Sequence, residues 1–178
     1  MADEQFRSDL GGARSLRLLE KSDADELYGL VDANRAYLAR WLPWVEASTP
    51  ASIRDFLDAA RRQHRSNDGF QCAILVDGAI VGVVGFHRVD WFNRATSIGY
   101  WLAETQQGRG TMTEAVRALV DHALGAWRLE RVEIRCAVEN ARSRAIPERL
   151  GFEQEGVLRR AERVGVRWHD LVVYGRLR

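Results

Sequence analysis

The sequence predicts an α+β fold, a mixed and mostly antiparallel sheet of six to seven strands with helices on both faces. Three observations carry that expectation. Between Cys72 and Phe86 two apolar runs flank Asp77-Gly78, the dipeptide of a two-residue type I′ hairpin. Met112, Val116, Leu119, Val120, Ala123, Leu124 and Trp127 recur at helical spacing. Val132 to Val138 then alternates in the manner of a half-buried strand.

The elements follow in order. Residues 1–13 are polar and lack a periodic apolar pattern, so they read as a flexible arm, with residues 14–178 forming a single domain. Arg14 to Glu20 alternates through Leu16 and Leu18 as a first strand. Ser22 or Asp23 can cap a helix that runs to about Leu38. Pro43, within Trp41-Leu42-Pro43-Trp44, prevents that helix from continuing. A second helix, from Pro50 or Ser52 to His64, aligns Ile53, Phe56, Leu57 and Ala60. After the hairpin comes a strand over Thr96 to Ala103, then the long helix and the strand at Val132. Ala141 to Leu150 reads as a short helix, and two last strands flank a turn at Gly165. The order is β-α-α-β-β-β-α-β-α-β-β, with a right-handed crossover expected in its β-α-β unit.

Composition narrows the function classes. No apolar run approaches the roughly 18 residues of a membrane helix, and the start of the chain has no secretory apolar region, which makes the cytoplasm the default location. A net charge of +1 gives no electrostatic reason to expect nucleic acid or an anionic membrane as partner. Residues 128–178 carry 12 arginines against 8 carboxylates, which suits an acidic ligand or a solvated mixture equally well. The four histidines have no metal-ligand spacing, so no metal is expected. Cys72 and Cys136 sit in apolar strand-like runs and read as buried thiols.

Between the third β-rich segment and the long helix lies Gly108-Arg109-Gly110. The first amides of a helix lack intrahelical partners and lie at the positive end of its dipole. Glycines let a phosphate approach them, and Arg109 adds a charge. Alone, the pattern serves a plain turn and cap as well as an anion site. It has neither the third glycine of a dinucleotide fingerprint nor the Lys-Ser/Thr of a nucleotide loop.

The longer run Gln107-Gly108-Arg109-Gly110-Thr111-Met112-Thr113 resembles the coenzyme A pyrophosphate loop of the GNAT superfamily, Q/R-x-x-G-x-G/A. Met112 stands where Gly or Ala is commonest, a variant similar to the Rim-type ribosomal-protein N-acetyltransferases. A second stretch, Asn140-Ala141-Arg142-Ser143-Arg144-Ala145 followed by Gly151-Phe152, resembles the superfamily's N-x-x-S-x-A and G-F signature. Each piece also has a structural reading, with Asn140 as a cap and Gly151 as a helix stop. Their order and spacing raise the functional one.

The resemblance implies acetyl-coenzyme A as cosubstrate. Backbone amides from Gln107 through Gly108, Arg109, Gly110 and Met112 to Thr113 would bind the pyrophosphate, with Asn140 and Ser143 also at the cofactor. The pantetheine arm would follow Tyr100, Trp101 and Leu102. Many members carry a tyrosine four residues before the glycine of G-F, as proton donor to the leaving thiolate. Here that position is Pro147, which cannot donate, and Ser143 is the candidate acid. Resemblance to the Rim-type branch makes Glu162 the candidate base for the amine, with Glu104 in reserve. The other reading of Glu162 is a surface carboxylate paired with Arg160 or Arg163.

Trp41 and Trp44 resemble a tryptophan-rich turn of that branch and are candidates for the acceptor wall, a dimer contact or core anchors. His169 is read first as a structural hydrogen-bonding residue, and Asp170 has no assigned role. The implied reaction is direct transfer of acetyl to a primary amine in a ternary complex. A protein or peptide N-terminus leads as acceptor. A small amine (a polyamine, amino acid or antibiotic) is the alternative, and a non-catalytic acyl-coenzyme A sensor a second. Relatives of the branch are often dimers, so a homodimer is compatible with the resemblance.

Overall fold

The computed structural model describes residues 6–178. One sheet of eight strands forms its centre, in the order β1-β2-β3-β4-β5-β6-β8-β7. The strands are β1 (Arg7–Gly11), β2 (Arg14–Leu18), β3 (Gln71–Val76), β4 (Ala79–Asp90), β5 (Ala95–Leu102), β6 (Arg131–Ala137), β7 (Glu153–Val164) and β8 (Arg167–Leu177). All neighbours are antiparallel except β5 and β6. The helices are α1 (Ala24–Ala33), α2 (Arg35–Leu38), α3 (Pro50–Arg65), α4 (Thr111–Asp121) and α5 (Ala141–Arg149).

The α+β expectation holds, and it is corrected in three places. The sheet has eight strands, not six or seven. The extra strand lies in the segment read as a flexible arm: Arg7–Gly11 pairs with β2. Phe6 explains why it stays, since its ring is buried and lies 4.7 Å from that of Phe70. Of the expected arm, residues 1–5 lie outside those described. The first helix also divides at Asn34, whose φ of −110° leaves the helical region. Asn34 turns its amide nitrogen to the Leu30 carbonyl and its oxygen to the Glu104 amide.

Local chemistry accounts for the other boundaries. Thr49 and Ser52 form a reciprocal capping box at the start of α3, with Pro50 as its first residue. Asp77 and Gly78 both take positive φ, as a type I′ turn requires, and close the β3–β4 hairpin. Asp23 does not cap α1. Its carboxylate instead accepts from the Glu20 amide and both terminal nitrogens of Arg17.

Helices cover both faces. On one, α4 presents Ala115, Val116, Leu119 and Val120 to Ile74, Val84, Phe86, Ile98 and Ile134. On the other, Leu27, Val31, Leu38, Ile53 and Leu57 from α1 to α3 meet Ala73, Ile80 and Val83. Fully burying such an aliphatic side chain contributes about 1.5–3 kcal/mol. The first of these cores spans the one parallel junction, reaching from Ile98 on β5 to Val132 and Ile134 on β6 and Val172 on β8.

The Arg17–Asp23 pair joins β2 to the turn before α1, with Asp23 almost fully buried. Burial pushes the Asp23 carboxyl up, but Arg17 and the Glu20 amide outweigh it and hold it below its ordinary 3.8. A lowered carboxyl stabilises the fold above its unfolded pKa, and the contribution fades as pH falls through the folded value. Asp23→Ala should therefore cost about 2–4 kcal/mol near neutrality. Denaturant unfolding should show that gap narrowing below pH 3.8.

Candidate active site

Strands β5 and β6 pair over only three residues, Ala95 to Ser97 against Arg131 to Glu133. Beyond that point they part, and the edge of Ile98–Leu102 that faces β6 has no strand partner. A cleft of about 1390 Å³ opens there, lined from both sheet faces. It runs from Tyr37, Trp41 and Leu42 past Tyr100 and Trp101 to the Gln107–Thr113 loop, with Asn140, Ser143 and Glu162 along its walls.

The loop has the geometry of an anion cradle. Gly108 and Gly110 take φ of +74° and +76°, conformations that side chains resist. Gly110 occupies the N-cap of α4 and has no side chain to cap it. The amides of Thr111, Met112 and Thr113 therefore point out of the first turn without helical acceptors. A Cβ at Gly108 or Gly110 would meet no protein atom within 4 Å, so the space beside them is open cleft. Arg109 is exposed, and its carbonyl accepts from Arg14 on β2, which ties down the back of the loop. Met112 contributes differently from its neighbours. Its side chain is buried in the core beneath α4, so it wedges the loop in place and offers only its amide to a ligand.

Gln107 bridges the mouth of the cleft. Its amide nitrogen donates to the Tyr37 hydroxyl on α2, and its oxygen accepts from Arg142 on α5 at 2.6 Å. Trp101 and Leu102 lie in β5 opposite Val83 and Gly82. Leu102 is buried, while Trp101 lines the cleft and stands 6.2 Å from the ring of Trp44. Trp41 lines the cleft and lies 5.9 Å from the His169 ring. Trp44 packs beside Trp101 and is not itself in the lining.

At the head of α5, Asn140 Oδ1 accepts from the Ser143 amide at 3.1 Å and caps the helix. Ser143 Oγ lies 3.2 Å from Cys136 Sγ and 3.3 Å from the Tyr100 hydroxyl. Both cysteines are buried free thiols. Cys136, however, belongs to the cleft wall, which its apolar strand context did not indicate. Helix α5 runs through Pro147 to Arg149 and is held from below by Arg144 and Glu148 on the Tyr174 hydroxyl.

Glu162 reaches the cleft through a bulge in β7. Leu158 faces Leu171 and Glu162 faces His169, so β7 has two residues more than β8 over that interval. Arg160, inside the bulge, has φ of +49°, and its amide donates to Asp170 Oδ1 at 2.7 Å. Asp170, without a role in the sequence reading, thus pins the bulge that presents Glu162. Among the described residues Glu162 forms no salt bridge with Arg160 or Arg163, and Arg163 turns to the Gly165 carbonyl. Burial raises the Glu162 carboxyl above its ordinary 4.5, against a smaller opposing pull from His169. His169 in turn lies 3.4 Å from Glu139, through Nδ1. Glu104 lines the cleft but is exposed, in a turn after β5.

Among the described residues no cluster of three or more His, Cys, Asp or Glu is arranged to hold a metal, and no helix is long and apolar enough to cross a membrane. The exposed amides of the loop call for an anionic ligand.

Comparison with known proteins agrees with that demand. Residues 15–153 match the family described as Acetyltransferase (GNAT) domain. The chain belongs to this family of N-acetyltransferases, which take the acetyl group from acetyl-coenzyme A. It is 38% identical over 168 residues to a putative ribosomal N-acetyltransferase, YdaF, of Bacillus subtilis, covering 92% of this chain and 91% of that protein. It is 29% identical over 163 residues to the ribosomal-protein-serine acetyltransferase of Escherichia coli, covering 91% of each. The fold superposes on RimL, a ribosomal L7/L12 α-N-protein acetyltransferase in complex with coenzyme A. That match has a TM-score of 0.92 at 28% identity, over 97% of this chain and 98% of that one.

Gly110→Ala tests the cradle. The added methyl projects into open cleft and strains a left-handed backbone by about 1 kcal/mol. Titration calorimetry should show coenzyme A binding weakened by about tenfold or more, with only a small loss of melting temperature.

Proposed function

We propose that this acetyltransferase modifies the N-terminal α-amino group of a protein or peptide, by direct attack in a ternary complex. The observation that carries the reading is the shared wall: Ser143 from α5 and Glu162 from β7 line the same cleft as the phosphate loop.

An amine attacks a thioester only when neutral, so it needs a proton acceptor. Glu162 suits that task because burial makes its carboxylate a stronger base and no arginine neutralises it. As the nitrogen bonds to the acetyl carbon, its proton passes to Glu162 directly or through water. The unpaired edge of β5 at Trp101 and Leu102 offers main-chain groups to the thioester oxygen, where negative charge grows. When the carbon–sulfur bond breaks, the Ser143 hydroxyl donates its proton to the thiolate and recovers one from water.

The peptide acceptor is favoured by the open, aromatic-walled end of the cleft at Tyr37, Trp41 and Trp101, and by the ribosomal-protein acetyltransferases among the relatives. Thiol release should therefore be fastest with peptides that begin with Ser, Ala or Met. A polyamine or amino acid that outcompetes every peptide would overturn the protein-acceptor reading, and no thiol release with any amine would favour a sensor.

Two substitutions test the chemistry. Glu162→Gln should lower kcat/KM about 100-fold and abolish the acidic limb of the pH–rate profile. That limb should rise at a pH above the ordinary 4.5, as the raised carboxyl ionises. An unchanged limb removes Glu162 as base. Ser143→Ala should lower kcat about tenfold or more at saturating acetyl-coenzyme A, and an unchanged turnover removes Ser143 as donor.

A further inference from the structure

We propose that Tyr100 is the positioning residue for Ser143, working through a helix carbonyl that Pro147 leaves open. The inference deepens the reading of Ser143 as donor to the thiolate and rests on it.

Ser143 is the third residue of α5. In a regular helix its carbonyl accepts from the amide four residues on. That residue is Pro147, which has no N–H. A buried carbonyl left without a donor is costly, so another group is needed. The Tyr100 hydroxyl supplies it, donating to the Ser143 carbonyl at 3.0 Å. The proline that displaces the usual tyrosine of the family thus creates the acceptor for a different one.

The proton count fixes what Tyr100 does next. Burial pushes its phenol well above the ordinary value, with nearby Cys136 adding to the effect, so the hydroxyl stays protonated. Its one hydrogen is committed to the carbonyl, and its oxygen can then only accept. Ser143 Oγ lies 3.3 Å away and Cys136 Sγ 3.7 Å away, and either can donate to it; the serine proton held there at rest turns to the thiolate when the carbon–sulfur bond breaks. Tyr100 therefore holds the serine at two points, main chain and side chain.

The placement matters because Tyr100 stands on β5 beyond the last residue paired with β6. Its side chain spans the parted strands and docks on α5. The strand along one wall of the cleft and the serine on the other are locked together by one phenol. Tyr100→Phe would keep the ring in place and remove only the lock.

The test is Tyr100→Phe made in the parent, Ser143→Ala and Pro147→Ala chains, with kcat at saturating acetyl-coenzyme A, coenzyme A affinity and melting temperature measured for each. In the parent, kcat should fall about tenfold while coenzyme A affinity changes less than about twofold. In Ser143→Ala, Tyr100→Phe should have no further effect on kcat. Pro147→Ala restores an amide to the Ser143 carbonyl, so it should recover the melting temperature lost by Tyr100→Phe but not the kcat. A merely structural Tyr100 would regain both. A slow Ser143→Ala beside a normal Tyr100→Phe would overturn the positioning role alone. An equal loss from Tyr100→Phe in both backgrounds would overturn it too, because Tyr100 would then act independently of Ser143. A normal Ser143→Ala would overturn the donor reading and the positioning role with it.

Discussion

Three residues of β5 pair with β6 before the two strands separate, and that short parallel contact governs the molecule. A continuous sheet would satisfy every main-chain group between the strands and leave no passage. Here the polar edge of Ile98–Leu102 is turned to a cleft open from both faces. One core under α4 runs across the junction from β3–β5 to β6 and β8, and a second core lies on the opposite face of β3 and β4. Helix α4 braces the strands on one face and α1 to α3 brace β3 and β4 on the other.

Reactive groups arrive at that cleft by different physical routes. The amides proposed to bind the anion come from the start of a helix, where hydrogen bonding is incomplete by geometry. Ser143 arrives on another helix, aligned by the Asn140 cap. Glu162 comes from a strand and depends on a bulge held by Asp170. Burial raises the carboxyl of Glu162, the proposed base, and the phenol of Tyr100, the proposed fixed hydrogen-bond donor.

Much of this was legible in the residues, and the failures have physical causes. The Asp77-Gly78 hairpin and the capped start of α3 depend on local backbone preferences, so local sequence reveals them. The apolar stripe of α4 reports its own buried face. β1 was missed because its five residues carry one apolar side chain, Leu10, and its anchor is Phe6, whose ring meets those of Phe70 and His122, both distant in sequence. The break at Asn34 depends on a bond to Glu104, a residue distant in sequence. In the site, the glycine turn before α4 and the Asn140 cap on Ser143 could be read from motifs. The contacts of Cys136 and Tyr100 with Ser143 could not, because each sits in an ordinary apolar strand run and meets the serine only in the fold. One signal was present: a proline four residues after a serine in a helix leaves that serine's carbonyl open.

The bulge in β7 has a consequence for parity. Side chains along a strand alternate between faces, so each additional residue reverses the facing of all that follow. Between Leu158 and Glu162 the excess over β8 is two residues, and the alternation resumes in its original sense. The loop of chain at Arg160 can thus stand away from the sheet while Glu162 keeps the face shared by Leu158, Leu171 and His169. The same strand absorbs one extra residue between Gln154 and Gly156 and stays paired with β8, so unpaired length is tolerated here; what the bulge at Arg160 must preserve is the placement of Glu162 opposite His169.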